Sequence, residues 1–417
     1  KKAVLPSGVT YIQVKDGRKT MAEIASTFFD HPSSKLRTLG VTGTNGKSTV
    51  ACMIQEMLQR TGQPTGLIGT IKYCIGGREI PAHLTTPESI DLQAMISEMV
   101  QSGCRGVVME VSSHGIQQHR VHAIEFNLGI FTNLSQDHLD YHASMEDYFE
   151  TKSRLFRNLG DGAAVINLDD AWGRRLLDTD GLPAHRVTFG FHEKADVRAC
   201  RVEGDASGSS FDVETPWGHA RIRLNRPGRF NVSNTLAVIA ACGTLEVGLD
   251  VMKAQLESMP PVPGRLESVP NRMGFTVLVD YAHTSDALHK VLSDLRELTE
   301  GRLIVLFGCG GERDRSKRPL MGEAAGAWAD MLIVTSDNPR GEDPGAIIDD
   351  ILPGIPSTCA YTIEIDRRKA IRQSIESARK GDVVVLAGKG HEEVQKLGHI
   401  MVPFSDREVA REILNET

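Results

Sequence analysis

No two of the seven cysteines stand at C-x-x-C spacing; they fall at 52, 74, 104, 200, 242, 309 and 359. That scatter argues against a zinc cluster, and an odd number of widely spaced thiols fits reduced cysteines in a cytoplasmic protein. Long apolar runs are missing too. Nothing approaches the roughly 18 consecutive apolar residues of a membrane span. No secretory leader is visible at the N-terminus, and the first residue, Lys1, is not Met. Positive charge is not in excess either: the formal net charge is -7. This argues against an extended nucleic-acid or anionic-membrane surface, while leaving room for a local basic pocket. Internal repeats and low-complexity tracts are absent.

What is present is an ordinary globular composition, 40% apolar and 24% charged. A chain of 417 residues, at roughly 150 per domain, predicts two to three domains. Residues 1–35 hold a turn at Leu5-Pro6-Ser7-Gly8, a predicted strand at Val9–Val14 and a helical stretch near Met21–Phe29, a piece too small to be a domain. From Leu36, apolar runs of strand length alternate with amphipathic stretches. Strands are expected at Leu36–Val41, Gly106–Val111, Leu128–Thr132 and Ala163–Asn167, and a helix at Lys47–Arg60 with Gly62 past its end. Residues 197–224 read as antiparallel strands. Pro260-Pro261-Val262-Pro263-Gly264 is the best linker candidate, stiffened by its prolines. Beyond it, Phe275–Tyr281, Leu303–Phe307, Met331–Thr335 and Val383–Ala387 predict a second parallel sheet.

Gly43-Thr44-Asn45-Gly46-Lys47-Ser48-Thr49 lies between a predicted strand and a predicted helix. That context suits a phosphate-binding loop: glycines let backbone N–H groups turn toward an anion, and a helix N-terminus adds positive potential. Lys47 is placed to reach the outer phosphates and Ser48 to bind magnesium. The spacing departs from G-x-x-x-x-G-K-[ST], because position 41 is Val. Glu110 ends a predicted strand, where a carboxylate faces the ligand crevice and suits magnesium. His138, in the polar cluster after Leu128–Thr132, is a candidate metal ligand or phosphate neighbour, or a structural histidine. Lys152, on a predicted helix, reads by itself as an exposed lysine.

These segments, with Val262-Pro263-Gly264-Arg265-Leu266-Glu267, Asp280-Tyr281-Ala282-His283-Thr284, Gly308–Pro319 and Gly388-Lys389-Gly390-His391-Glu392, resemble the Mur ligase family from about residue 9 to the C-terminus. The resemblance is to its diaminopimelate-adding branch. It implies an α/β chain with a central P-loop-type ATPase domain (36–260), a Rossmann-like C-terminal domain (261–417) that binds the incoming amino acid, and in 1–35 the remnant of an N-terminal uridine-binding domain. It implies ATP and Mg2+, and as substrates UDP-N-acetylmuramoyl-L-alanyl-D-glutamate and meso-diaminopimelate. A cytoplasmic monomer is expected, without nucleic-acid partner or membrane span.

Carried over by motif, Gly43, Thr44, Asn45, Gly46, Lys47, Ser48 and Thr49 would cradle the ATP phosphates, with Asn231, Arg265 and Asp280 as further ATP contacts. Lys47, Glu110, His138 and Lys152 would be catalytic, and Ser48, Glu110, His138 and a carbamylated Lys152 would serve magnesium. Carbamylation turns an ammonium into an anionic oxygen ligand. Thr85, Thr86, Ser112, Gln118 and Arg120 match the muramoyl-peptide site, where the planar fork of Arg120 suits a diphosphate. Asp337-Asn338-Pro339-Arg340 resembles the signature of the diaminopimelate branch. Arg340 suits the second carboxylate that diaminopimelate has and lysine lacks. Arg313 matches another carboxylate contact, and Gly388 and Glu392 match positions holding the distal amino group. A folylpolyglutamate-type ligase would share the phosphate loop but not Asp337–Arg340. A non-catalytic ATP-binding relative would tolerate loss of Lys47, Glu110 or Lys152, and all three are present.

Overall fold

The computed structural model describes residues 8, 10, 12–137 and 141–416. Eleven strands form the first sheet: β1 (Arg37–Thr42), β2 (Thr65–Ile68), β3 (Lys72–Ile75), β4 (Arg78–Pro81), β5 (Gly106–Glu110), β6 (Leu128–Phe131), β7 (Ala163–Asn167), β8 (His185–Gly190), β9 (Val197–Asp205), β10 (Gly208–Thr215) and β11 (Gly218–Leu224). Their order is β11-β10-β9-β8-β7-β6-β1-β5-β2-β3-β4. The centre, from β2 through β9, is parallel, and both margins turn antiparallel. β5, β6 and β7 are buried along their whole length, as strands covered by helices on both faces must be. Exposure alternates along β10, which places one of its faces toward solvent.

The helix Lys47–Arg60 turns Val50, Met53, Ile54, Met57 and Leu58 inward, and the helix Arg229–Thr244 is buried over most of its surface against the same core. A second core fills the opposite face of the sheet, between β5–β7 and the helices Ser89–Gln101 and Met145–Arg157. The predicted Met21–Phe29 helix spans Gly17–Phe28. Residues 12–14 of the predicted Val9–Val14 strand lie in no strand, and Val9 and Tyr11 fall outside the described residues.

The second sheet runs β12 (Glu267–Ser268), β13 (Thr276–Asp280), β17 (Val383–Ala387), β14 (Leu303–Phe307), β15 (Met331–Val334), β16 (Ala360–Ile363), parallel except at β12. A separate hairpin, β18 (Val394–Leu397) with β19 (Ile400–Pro403), stands apart from it. In the first sheet β1 lies between β5 and β6, and in the second β17 is inserted between β13 and β14. Such reversals of strand order open crevices at the carboxyl ends of strands.

One ion pair fastens the underside of the second crevice. Arg367 and Asp406 are both 0% exposed at their side chains. Arg367 Nε and Nη2 donate to Asp406 Oδ1 and Oδ2 at 2.8 and 2.6 Å, and Nη2 donates to Ala387 O, the last carbonyl of β17, at 2.9 Å. Removing one partner strands the other charge. Arg367→Met is therefore expected to lower stability by about 3–5 kcal/mol in urea unfolding, and Arg367→Met with Asp406→Leu to recover most of it.

Candidate functional site

The chain leaves β1 through Gly43 at φ +144° and enters the next helix through Gly46 at φ +86°. Both positions need glycine for space as well. A Cβ at 43 would stand 2.0 Å from Thr132 Oγ1, and one at 46 would stand 2.4 Å from Asn234 Oδ1. The loop is pinned from behind: Thr44 N donates to Asn133 O at 2.9 Å, Asn45 N to Asn133 Oδ1 at 3.0 Å, and Thr132 Oγ1 to Asn45 O at 2.6 Å. Lys47 folds back on its own loop, donating Nζ to Gly43 O at 3.0 Å and Thr44 O at 2.8 Å. Burial pulls the Lys47 ammonium below its ordinary pKa, against the opposing pull of Glu110 and Asp137. An arriving phosphate supplies the counter-charge that those carbonyls replace only in part.

Glu110 is 1% exposed. Its Oε1 accepts Thr70 N at 2.7 Å, and its Oε2 accepts Ser48 Oγ at 2.9 Å and Thr70 Oγ1 at 3.1 Å. Thr70 Oγ1 lies 3.0 Å from Thr85 Oγ1, while Thr86 Oγ1 donates to Glu110 O at 2.8 Å and to Ser112 Oγ at 3.0 Å. Arg120 donates Nη1 to Thr86 O and Nη2 to Gln118 Oε1, both at 2.8 Å, and pairs with Glu88. Thr85 and Ser112 line the cleft; Thr86, Gln118 and Arg120 brace it from outside.

Lys152 is 1% exposed, which overturns its local reading as a solvated helix lysine. Its helix buries the face carrying Tyr148, Lys152, Leu155 and Phe156. Lys152 Nζ sits 4.7 Å from the centre of the Tyr148 ring and donates to Gly43 O at 2.9 Å. Burial, reinforced by Lys47, pulls its pKa well below the ordinary 10.5. His138 lies outside the described residues, and among those described no cluster of three His, Cys, Asp or Glu side chains forms a ready metal cage.

From the second sheet, Asp280 ends β13, Gly308 follows β14, Thr335–Arg340 follow β15 and Gly388 follows β17. Asp280 accepts Leu266 N and Ala282 N, each at 2.8 Å, shaping the turn beside Arg265. Arg265 lies 4.8 Å from the Tyr281 ring centre and donates Nη2 to Ser48 Oγ at 2.9 Å. Arg340 is held at φ +51° by a bridge to the hairpin: its N donates to Lys396 O at 3.1 Å, and Gly398 N donates to its O at 2.7 Å. Its Nη1 bonds Gly311 O. A Cβ on Gly310 would stand 3.0 Å from Arg340 Nη1 and 3.8 Å from Arg313 Cγ, so the two guanidinium-bearing side chains share one wall. Asp337 accepts Asn338 N at 2.6 Å, and Asn338 Nδ2 donates to Glu392 Oε2 at 2.8 Å. Burial raises the Asp337 pKa against Arg367 and Lys389.

The two crevices face one another. Asp286, on the helix Ser285–Leu298, accepts Asn45 Nδ2 at 2.9 Å and Ser135 Oγ at 2.6 Å, and Asp294 of that helix accepts Phe230 N at 3.0 Å. Between them lies a cleft of about 1140 Å³, lined by Thr44–Thr49, Glu110, Lys152, Arg265 and Asp280 together with Arg313, Asp337, Asn338, Arg340, Gly388 and Glu392. Asn231 does not line it. Its Nδ2 bonds Pro227 O at 2.7 Å, and the cleft-facing asparagine of the same helix is Asn234. Sequence reasoning also passed over Thr70 and Asp286. No motif marks Thr70; Asp286 stands two residues beyond a segment already singled out.

Known proteins share this fold. The family model described as the Mur ligase middle domain matches residues 41–242, and that of the Mur ligase glutamate ligase domain matches 264–390. The UDP-N-acetylmuramoyl-L-alanyl-D-glutamate–2,6-diaminopimelate ligase of Caldanaerobacter subterraneus subsp. tengcongensis is 46% identical over 411 residues, covering 98% of this chain and 84% of the relative. That of Clostridioides difficile is also 46% identical, covering 98% and 85%. A solved structure of a ligase of the same name superposes with a TM-score of 0.70 at 33% identity, covering 99% and 85%. Folylpolyglutamate synthase of Mycobacterium tuberculosis superposes with a TM-score of 0.71 at 17% identity, covering 88% and 92%, and shares the fold. A phosphate-type loop facing an arginine-walled pocket across one cleft thus sits in a chain that belongs to the Mur ligase family, among the UDP-N-acetylmuramoyl-L-alanyl-D-glutamate–2,6-diaminopimelate ligases.

Proposed function

We propose that this chain joins the amine of meso-diaminopimelate to UDP-N-acetylmuramoyl-L-alanyl-D-glutamate at the expense of ATP. The observation that carries this is the single cleft shared by the phosphate-type loop and the Arg313–Arg340 wall. A carboxylate oxygen of the D-glutamyl side chain attacks the γ-phosphorus, and the bond to ADP breaks. The amine nitrogen then attacks the carbonyl carbon, loses a proton, and the carbon–oxygen bond to phosphate breaks. Residues 43–49 hold the ATP phosphates, and Lys47 leaves its loop carbonyls to neutralise charge on the transferred group. Arg265 and Asp280 form the ATP side of the second crevice. Thr85 and Ser112 face the acceptor peptide, with Thr86, Gln118 and Arg120 behind them. Residues 36–260 act as the ATP-binding unit, 261–417 as the amine-binding unit, and 1–35 as the remnant of a uridine-binding unit.

Magnesium fits the oxygen pair made by Ser48 Oγ and Glu110 Oε2, 2.9 Å apart beside the phosphate loop, a hydroxyl and a carboxylate of the hardness this cation selects. Bound there, it supplies charge neutralisation on the phosphates. Lys152 is poised for carbamylation, because burial, reinforced by Lys47, depresses its pKa and so favours the neutral, nucleophilic amine.

Phosphate release should require both the muramoyl dipeptide and meso-diaminopimelate, with tripeptide seen by mass. Arg340→Ala should cut kcat/KM for meso-diaminopimelate by roughly 100-fold, the scale of a lost charge-assisted pair. Equal use of L-lysine by the unaltered chain sinks this assignment. For Lys152, 13C-bicarbonate should give a carbamate resonance that Lys152→Met lacks. With bicarbonate excluded, the unfolded chain binds the extra proton between the depressed pKa and 10.5, so stability rises with pH across that window. Lys152→Met should flatten that slope in thermal melts.

A further inference from the structure

Lys389 is 0% exposed and does not line the cleft. A buried ammonium persists where each proton finds an acceptor. The three of Lys389 reach Glu392 Oε2 at 2.9 Å, Asn338 Oδ1 at 3.2 Å and Val394 O at 2.8 Å. Asn338 closes the ring: its Nδ2 donates to the same Glu392 oxygen at 2.8 Å, and its Oδ1 also accepts Lys396 N at 2.9 Å. A lysine on one side and a carboxylate on the other leave the Asn338 amide a single workable orientation. Burial alone would raise the Glu392 pKa; Lys389 and Asn338 outweigh it and hold the carboxyl below its ordinary range. The side-chain hydrogen bonds of Glu392 to described residues run through Oε2, which leaves Oε1 to the cleft that Glu392 lines with Arg313 and Arg340.

We propose that Lys389 is a positioning residue that sets amine selectivity. It locks Glu392 and the Asp337–Arg340 loop into one unit. One carboxylate oxygen then stands at a fixed offset from the guanidinium wall, matching an amine whose far end carries an ammonium and a carboxylate on one carbon. This rests on the amine-binding reading above. Lys389 touches no reacting atom, so its loss acts on recognition of the far end and leaves the chemistry at the near end in place.

The test is steady-state turnover with ATP, the muramoyl dipeptide, and meso-diaminopimelate or L-lysine. Lys389→Met should raise KM for meso-diaminopimelate roughly 10- to 100-fold, as expected when a buried charged pair loses its geometry. KM for ATP should hold and kcat should change little. Because Lys389→Met strands the Glu392 charge at a cost in folded fraction, Glu392→Gln and the double variant are measured beside it. The double variant should be no worse for meso-diaminopimelate than Glu392→Gln alone, the mark of two residues acting as one unit. Equal rises in both KM values, a fall in kcat alone, or additive losses in the double variant would overturn the proposal. An unaltered chain that forms no product with meso-diaminopimelate would instead overturn the functional reading beneath it, a result that concerns no Lys389 variant.

Discussion

Glu110 ends β5 inside the protein, and three donors converge on its two oxygens. A carboxylate so deep is tolerable only while those donors stay in place. The consequences spread outward. Thr70 fixes the loop after β2, and a Cβ on Gly69 would stand 2.5 Å from Glu110 Oε1 and push that carboxylate off its donors. Ser48 fixes the first turn of the phosphate-loop helix and passes the constraint to Arg265 at 2.9 Å. Arg265 belongs to the connection into the second sheet. One buried charge therefore couples a strand, the glycine-rich loop and the linker, and through the linker the orientation of the second crevice.

The same economy governs the other buried charges. Arg367 with Asp406 fastens the helices beneath β15 and β17, whose carboxyl ends carry Asp337 and Gly388. Lys152 meets the carbonyl of Gly43, and Lys389 meets Asn338 and Glu392. Each of these three cations touches a residue at or just beyond the carboxyl end of a parallel strand, where strand-order reversal opens a crevice. The fold supplies the crevices, and the ions make their walls rigid. Asp286 then spans the gap, bonding the phosphate loop and its supporting loop from the far side.

Much of this was legible in the sequence. Lys47–Arg60, Ala163–Asn167, Leu303–Phe307 and Val383–Ala387 fall where apolar periodicity places them, because buried parallel strands and a one-faced helix leave strong patterns. The antiparallel margin at 197–224 was legible, the other was not. β3 is only four residues long, and β4, β16 and the β18–β19 hairpin are short and mostly exposed, so no long apolar pattern marks them. The depth of Lys152 was hidden as well. A lysine on an amphipathic helix reads as solvated until the Tyr148 ring and the Gly43 carbonyl are seen around it. Asn231 shows the converse limit: a motif names a helix, and the turn of the helix decides that Asn234, not Asn231, meets the cleft.

Isotope transfer tests most directly whether the facing crevices form one site for carboxylate activation and amine capture. With 18O in the D-glutamyl side-chain carboxylate, turnover with ATP and meso-diaminopimelate should release inorganic phosphate carrying one 18O atom, detected by mass spectrometry. Phosphate without the label, released while tripeptide accumulates, would contradict an acyl phosphate and with it the joint site.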